Sequence, residues 1–270
     1  MPVPQPLRNL ASEAFADQNW DALEFHARRM LQQDAADATG RSYLGVALCS
    51  TGRVEEGLRE HAKAVQLGSD QSMTWHNYAT GLLLTRDYAR ALTAIQRALE
   101  LEPIGYRTWR ILLSAHANLF QIDEASQVVA QVFALFGDEE VEKDPLGFRA
   151  SRLRSPDGIH EFSPSLLAIL VTREEGSEIV CEDADLGIYG VGPTFSEAYS
   201  RFGEMFLAVF ADYPDGFTDP LSDGARQHAT ARIDAMDEAT RETEEDAELM
   251  RSLERGRRDI GAGRTVVWGG

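Results

Sequence analysis

The pattern of apolar and polar positions changes character along this chain. Through residues 4–139, apolar residues recur three and four apart in segments of a dozen or so, the spacing of amphipathic helices. The predicted helices come in pairs, and each pair recurs after 34 residues. In the stretch from Ser72 to Gly105 the marked positions are Trp75, Tyr78, Ala79, Leu82, Tyr88, Ala91, Ile95 and Ala98, with Pro103 behind them. Ala79 steps back to Gly45 and Ala11, Ala91 to Gly57 and forward to Ala125, and Ala98 to Ala64 and Val132. Small residues are needed where paired helices approach closely. Tyr88 has Trp20, Val54 and Ile122 as counterparts, a large apolar wedge at the start of each second helix.

The spacing predicts four gapless units, 4–37, 38–71, 72–105 and 106–139. One hairpin cannot bury both of its apolar faces, so the units must stack. Leu113 replaces the small residue in the last unit and Leu23 stands where Ala is usual in the first, as end repeats often depart from the rest. Gly52 and Asp87 mark turns between paired helices. The expected shape is a right-handed superhelix whose groove is lined by the first helix of each pair.

Beyond Glu139 the period ends. Residues 140–165 carry Pro, Gly and mixed charge, with Arg149, Arg152 and Arg154 among them, and read as a linker. Residues 166–213 alternate differently. Leu166–Thr172, Glu178–Glu182 and Gly187–Val191 read as strands, with a turn at Glu174–Gly176. Thr194 and Glu197 form a capping box that opens a helix with Phe195, Ala198, Phe202, Met205, Phe206, Val209 and Phe210 on one face. Residues 214–270 read as a helical tail, with one helix or two over 222–260, the break in the second case near Glu238–Thr240. In it an acidic run, Glu242 to Glu248, precedes Arg251, Arg255, Arg257 and Arg258, an order that suits the helix dipole. The fold class is therefore α+β: a helical solenoid, then an antiparallel β-β-β-α domain and C-terminal helices.

Composition adds a charge asymmetry. Net charge is -18, of which -5 falls on residues 1–139 and -13 on residues 140–270. Such a surface repels nucleic acid and attracts a basic protein. The expected groove is instead polar to mildly basic: Arg8, Ser12, Ser42, Tyr43, Val46, His76, Asn77, Thr80, Arg107, Arg110 and Ser114. It suits an extended acidic or C-terminal peptide.

The unit from Ser72 to Gly105 resembles the tetratricopeptide repeat (TPR), whose members bind proteins and peptides. Some of them hold a terminal carboxylate with Lys, Asn and Arg; here only Asn77 and Arg107 stand where that set would, and the Lys is missing. The stretch through DLGIYGVGPT and SEA resembles the HicB-like antitoxin domain on Gly187, Gly190, Gly192, Thr194, Glu197 and Ala198, with Pro193 departing from that pattern. This second resemblance implies a non-catalytic protein that covers a basic RNase toxin. Glu182, Asp183, Asp185, Tyr189, Arg255 and Arg258 are the candidate partner-binding residues. The end of the chain, with ERG, DI and AGR, loosely resembles antitoxin tails.

Candidate chemistry is sparse. The six histidines form no HExxH pair, and neither a phosphate-binding loop nor a nucleophile elbow is present. Cys49 and Cys181 read as two buried thiols in different domains, which favours a cytoplasmic address. No apolar run reaches the length of a membrane span and no signal peptide is visible at the N-terminus. Neither metal nor cofactor is expected. Three functions follow: a neutraliser of a basic partner, an adaptor whose second domain only dimerises, or a nuclease built on Glu182, Asp183 and Asp185.

Overall fold

The computed structural model describes residues 2–102, 105–155, 158–161, 167–173, 178–210 and 223–241. The chain falls into two compact units that divide between Ala115 and His116.

The first unit is entirely helical. It comprises α1 (Gln5–Ala16), α2 (Trp20–Gln33), α3 (Ala38–Ser50), α4 (Val54–Leu67), α5 (Ser72–Leu84), α6 (Tyr88–Leu101) and the beginning of α7 (Tyr106–Asn118). α1 packs with α2, α3 with α4 and α5 with α6, while α2 meets α3, α4 meets α5, and α3 meets α5. The small positions of the period, Ala11, Ala79, Ala91, Ala64 and Ala98, are fully buried. Successive turns inside the hairpins repeat their backbone as well. Gln18, Gly52, Arg86 and Phe120, each 34 residues from the last, all have positive φ, between 53° and 84°. The next residue caps the second helix in two hairpins: Asn19 accepts from Ala22 N–H and Asp87 from Arg90 N–H.

The second unit begins within α7 and continues through α8 (Ile122–Lys143), which breaks at Gly137, where φ is 75°. The strands are β1 (Leu146–Ala150), β2 (Arg152–Ser155), β3 (Gly158–Glu161), β4 (Leu167–Arg173), β5 (Ile179–Asp183) and β6 (Ile188–Gly192). They form an antiparallel sheet in the order β1-β4-β5-β6 and a separate β2-β3 hairpin. The sheet thus has four strands where three were expected, and the stretch read as a linker supplies the fourth. Its burial alternates only at its end: Leu146, Gly147, Phe148 and Ala150 are buried and Arg149 is exposed.

The basic residues that suggested a linker are partly structural. Arg152 donates from Nε and Nη2 to Asn118 O at 2.9 and 2.7 Å, with its guanidinium 5.0 Å from the Phe120 ring centroid. Asn118 ties the same corner. Its Nδ2 donates to Arg149 O, and its Oδ1 accepts from Ser151 N–H.

Helix α9 (Phe195–Phe210) packs on β5 and β6. Glu197 N–H donates to Thr194 Oγ1, as the capping pattern predicts. Its buried face holds Phe195, Ala198, Tyr199, Phe202, Gly203, Phe206, Val209 and Phe210, whereas Met205 is only half-buried. Helix α10 (Asp223–Arg241) runs through Glu238–Thr240, where two helices would have divided. The predicted turn at Glu174–Gly176, the acidic run from Glu242 and the arginines Arg255 and Arg258 lie outside the described residues.

Candidate functional site

The first-helix face of the helical unit is the expected groove, and the structure divides its residues into two groups. One group ties neighbouring helices together. Asn77 Nδ2 donates to Ser42 Oγ at 2.9 Å, joining α5 to α3, and both side chains are buried. His76 Nδ1 and Thr108 Oγ1 are 3.1 Å apart, joining α5 to α7. Arg8 donates to Asp37, the residue that caps α3, at 2.7 Å. Tyr43 lies against the Phe15 ring, and Ser114 is buried. Asn77 is therefore a strut between helices, and of the two residues that stand where a carboxylate-holding set would, only Arg107 is exposed.

The second group faces outward. Arg107 and Thr80 are exposed, Ser12 likewise, while Arg110 and Val46 are half-buried. Arg107 makes no ion pair among the described residues. Burial, reinforced by the Arg107 charge, pushes the His76 imidazole down to about 4, so it is neutral near pH 7. Sequence reasoning missed Met73 and Leu84, which are 48% and 56% exposed. Their spacing with Thr80, seven and then four residues, places all three on one face of α5. That spacing was the available signal, obscured because the groove was read mainly for its polar residues. The exposed part of the face thus carries Arg107 on α7 and, at the two ends of α5, Met73 and Leu84.

The candidate residues of the second unit separate in the same way. Asp183 is buried, with Oδ1 accepting from the Asp185 and Leu186 N–H groups and Oδ2 from Ala168 N–H. Burial pushes its carboxyl up to about 7 against the pull of those bonds. It pins the start of β4 to the β5–β6 turn and is committed to that task, which argues against a catalytic role. Asp185 is exposed and Glu182 half-buried. Tyr189 is buried with Val180 and Val191 on the sheet, so it is a core residue and not a surface contact.

The two thiols are unbonded to each other: Cys181 is buried and Cys49 half-buried. Burial raises both pKa values, to about 11 for Cys49, so neither is an activated nucleophile. Among the described residues no His, Cys, Asp or Glu cluster could hold a metal, and no helix is long and apolar enough to cross a membrane.

No family model and no curated protein matches the chain. Solved structures do resemble parts of it. A Naa15/Naa10 complex bound to HypK-THB is similar at 18% identity and TM-score 0.44, over 48% of this chain and 20% of that one. MamA from Desulfovibrio magneticus RS-1 is similar at 16% identity and TM-score 0.44, over 50% of this chain and 76% of its own. A Thermobaculum terrenum O-GlcNAc transferase mutant is similar at 21% identity and TM-score 0.47, over 50% and 26%. This chain therefore spans only a fifth and about a quarter of two of these proteins.

The helical hairpins have a TPR-like architecture. Their own residues carry that statement: the 34-residue recurrence of positive φ, buried small residues and hairpin pairing described above.

Proposed function

We propose that the protein is a non-catalytic protein-binding scaffold whose first unit takes an extended peptide. The peptide carries a carboxylate for Arg107 and an apolar side chain for Met73 or Leu84. The observation that carries this reading is Arg107, an exposed guanidinium with no ion pair among the described residues, together with a neutral His76 and the exposed Met73 and Leu84 of α5. The polar bonds between α3, α5 and α7 support it, because they hold the face in one arrangement before a ligand arrives and lower the ordering cost of binding. A displayed library of random heptapeptides, selected on the whole protein, tests the idea. The expected result is enrichment of acidic-apolar sequences whose binding is weakened at least tenfold by Arg107→Glu and by added salt. Enrichment without acidic residues, or binding indifferent to Arg107→Glu, overturns it.

A second reading concerns the second unit, as an antitoxin-like domain that covers a basic RNase. The observation in its favour is the close seat of α9 on the glycines of β6. A Cβ at Gly190 would lie 2.2 Å from Ala198 O and from Phe202 N, and Gly190 and Gly192 are residues on which that resemblance rests. The charge of -13 on residues 140–270 suits a basic partner. A small basic RNase encoded beside this protein should lose activity in its presence and co-purify in a salt-sensitive complex. An RNase fully active in excess of this protein ends that reading. The adaptor reading keeps the peptide face and gives the sheet, through its edge strands β1 and β6, only a homodimeric role in the cytoplasm. Oligomeric state after deletion of residues 166–213 separates it from the antitoxin-like reading.

A further inference from the structure

One buried side chain in the first unit is not explained by packing alone. At 34-residue intervals the second helices present Ala27, His61, Ile95 and Val129, all essentially inaccessible to solvent. Three are aliphatic; the second hairpin puts an imidazole there. The ring is accommodated by glycines on both neighbours of α4. A Cβ on Gly45 of α3 would lie 2.6 Å from His61 Cε1 and 2.7 Å from Nδ1, and a Cβ on Gly81 of α5 would lie 3.2 Å from Cδ2. His61 Nδ1 is buried without a hydrogen-bond partner among the described residues. Such a ring is tolerated neutral; protonated, it is a buried cation whose Nδ1 has no acceptor among the described residues.

We propose that His61 makes the joint between the second and third hairpins a pH-sensitive element, firm near neutral pH and loosened by acid. The surrounding charges do not rescue a protonated ring. Glu60, the neighbour in sequence, is occupied by Arg41 of α3 and Lys63 of α4 at 2.7 and 2.6 Å. The other ionisable groups of α4 are Glu55, Glu56 and Arg59; α3 adds Tyr43 and Cys49, the latter held as a thiol, and α5 adds only His76 and Tyr78. Burial depresses the His61 value to about 4, with Glu60 only partly offsetting it. A depressed histidine contributes stability that is present above its ordinary value of 6.5 and is lost as pH falls from there towards about 4. Helix α5 also carries Met73 and Leu84, so the loosening reaches the exposed face described above.

The test compares urea unfolding of the whole protein at pH 7.5 and pH 5 with that of the double variant Gly45→Ala, His61→Ile. This variant copies the Ala79 and Ile95 pair of the third hairpin. Between those pH values His61 alone should lower the folding equilibrium constant of the first unit about 30-fold, and the double variant should lack that component. Equal pH dependence of the two proteins overturns the proposal. Should the variant not fold, histidine-ring NMR of the native protein decides. A His61 ring that stays neutral to below pH 5 supports the idea, and one that titrates near 6.5 in the folded protein overturns it.

Discussion

Asn77 and Ser42 are hydrogen-bonded partners in the interior of the first unit, 2.9 Å apart and on different hairpins. Both had the polarity expected of ligand-binding positions, yet each satisfies the other where water does not reach. Replacing Asn77 with Ala leaves the Ser42 hydroxyl unpaired and opens a void. The expected cost is about 1–3 kcal/mol, read from urea unfolding. Ser42→Ala added to Asn77→Ala should cost much less than the sum of the single changes, because the bond is already gone. Full additivity would mean that the two side chains do not depend on one another.

Gly52 offers a clean measurement of backbone strain. Its φ is +84°, and a Cβ there would meet nothing within 4 Å. Gly52→Ala should therefore destabilise the first unit by about 1 kcal/mol through conformation alone. Gln18, one period earlier, holds φ 53° with a side chain in place. Gln18→Gly should be neutral or slightly stabilising in the same thermal or urea assay.

Gly190 presents the opposite case. Its added Cβ would collide with backbone atoms of α9, and backbone cannot swing aside as a side chain can. Gly190→Ala should push the helix off the sheet and cost more than about 3 kcal/mol. Loss of near-ultraviolet dichroism from the α9 aromatics, with the helical array still folded, is the expected signature.

Asp183 predicts a pH dependence of opposite sign to that of the first unit. Its carboxyl is raised from 3.8 to about 7 in the folded state, so its contribution is full below pH 4 and declines as pH rises from there to about 7. Asp183→Asn, which cannot ionise, should flatten stability against pH in that window. Asp183→Ala removes the acceptor for three backbone N–H groups and should cost about 2–4 kcal/mol near pH 4, and less as pH rises towards 7. Proton release by this group on unfolding, measured at pH 5 and 6 by calorimetry in two buffers as the difference from Asp183→Asn, checks the sign.

How far the candidate sites could be read in advance depended on the kind of contact involved. Arg107 and Thr80 were legible because helical spacing alone puts them on the first-helix face, and they are exposed there. Asn77, Ser42 and His76 share that face but are used between helices, and their partners lie 35 and 32 residues away. Tyr189 and Asp183 looked like surface chemistry in a polar stretch; sheet packing buries both. The β-β-β-α core was displaced by a single residue at each strand, since alternation marks a strand better than it marks its ends.

The sequence by itself determined the repeat. Every step of 34 residues returns the chain to the same surroundings, so the same small residues, wedges and left-handed turns recur and can be counted along the chain. Tertiary structure decided what no local pattern records. Leu146–Ala150 is a strand because Phe148 pairs with Ile169, a partner some twenty residues on that supplies the hydrogen bonds a lone segment lacks. It also decided which polar side chains remain for a partner. A hydrogen bond between stacked hairpins withdraws a residue from solvent, and only the packed array fixes which residues meet.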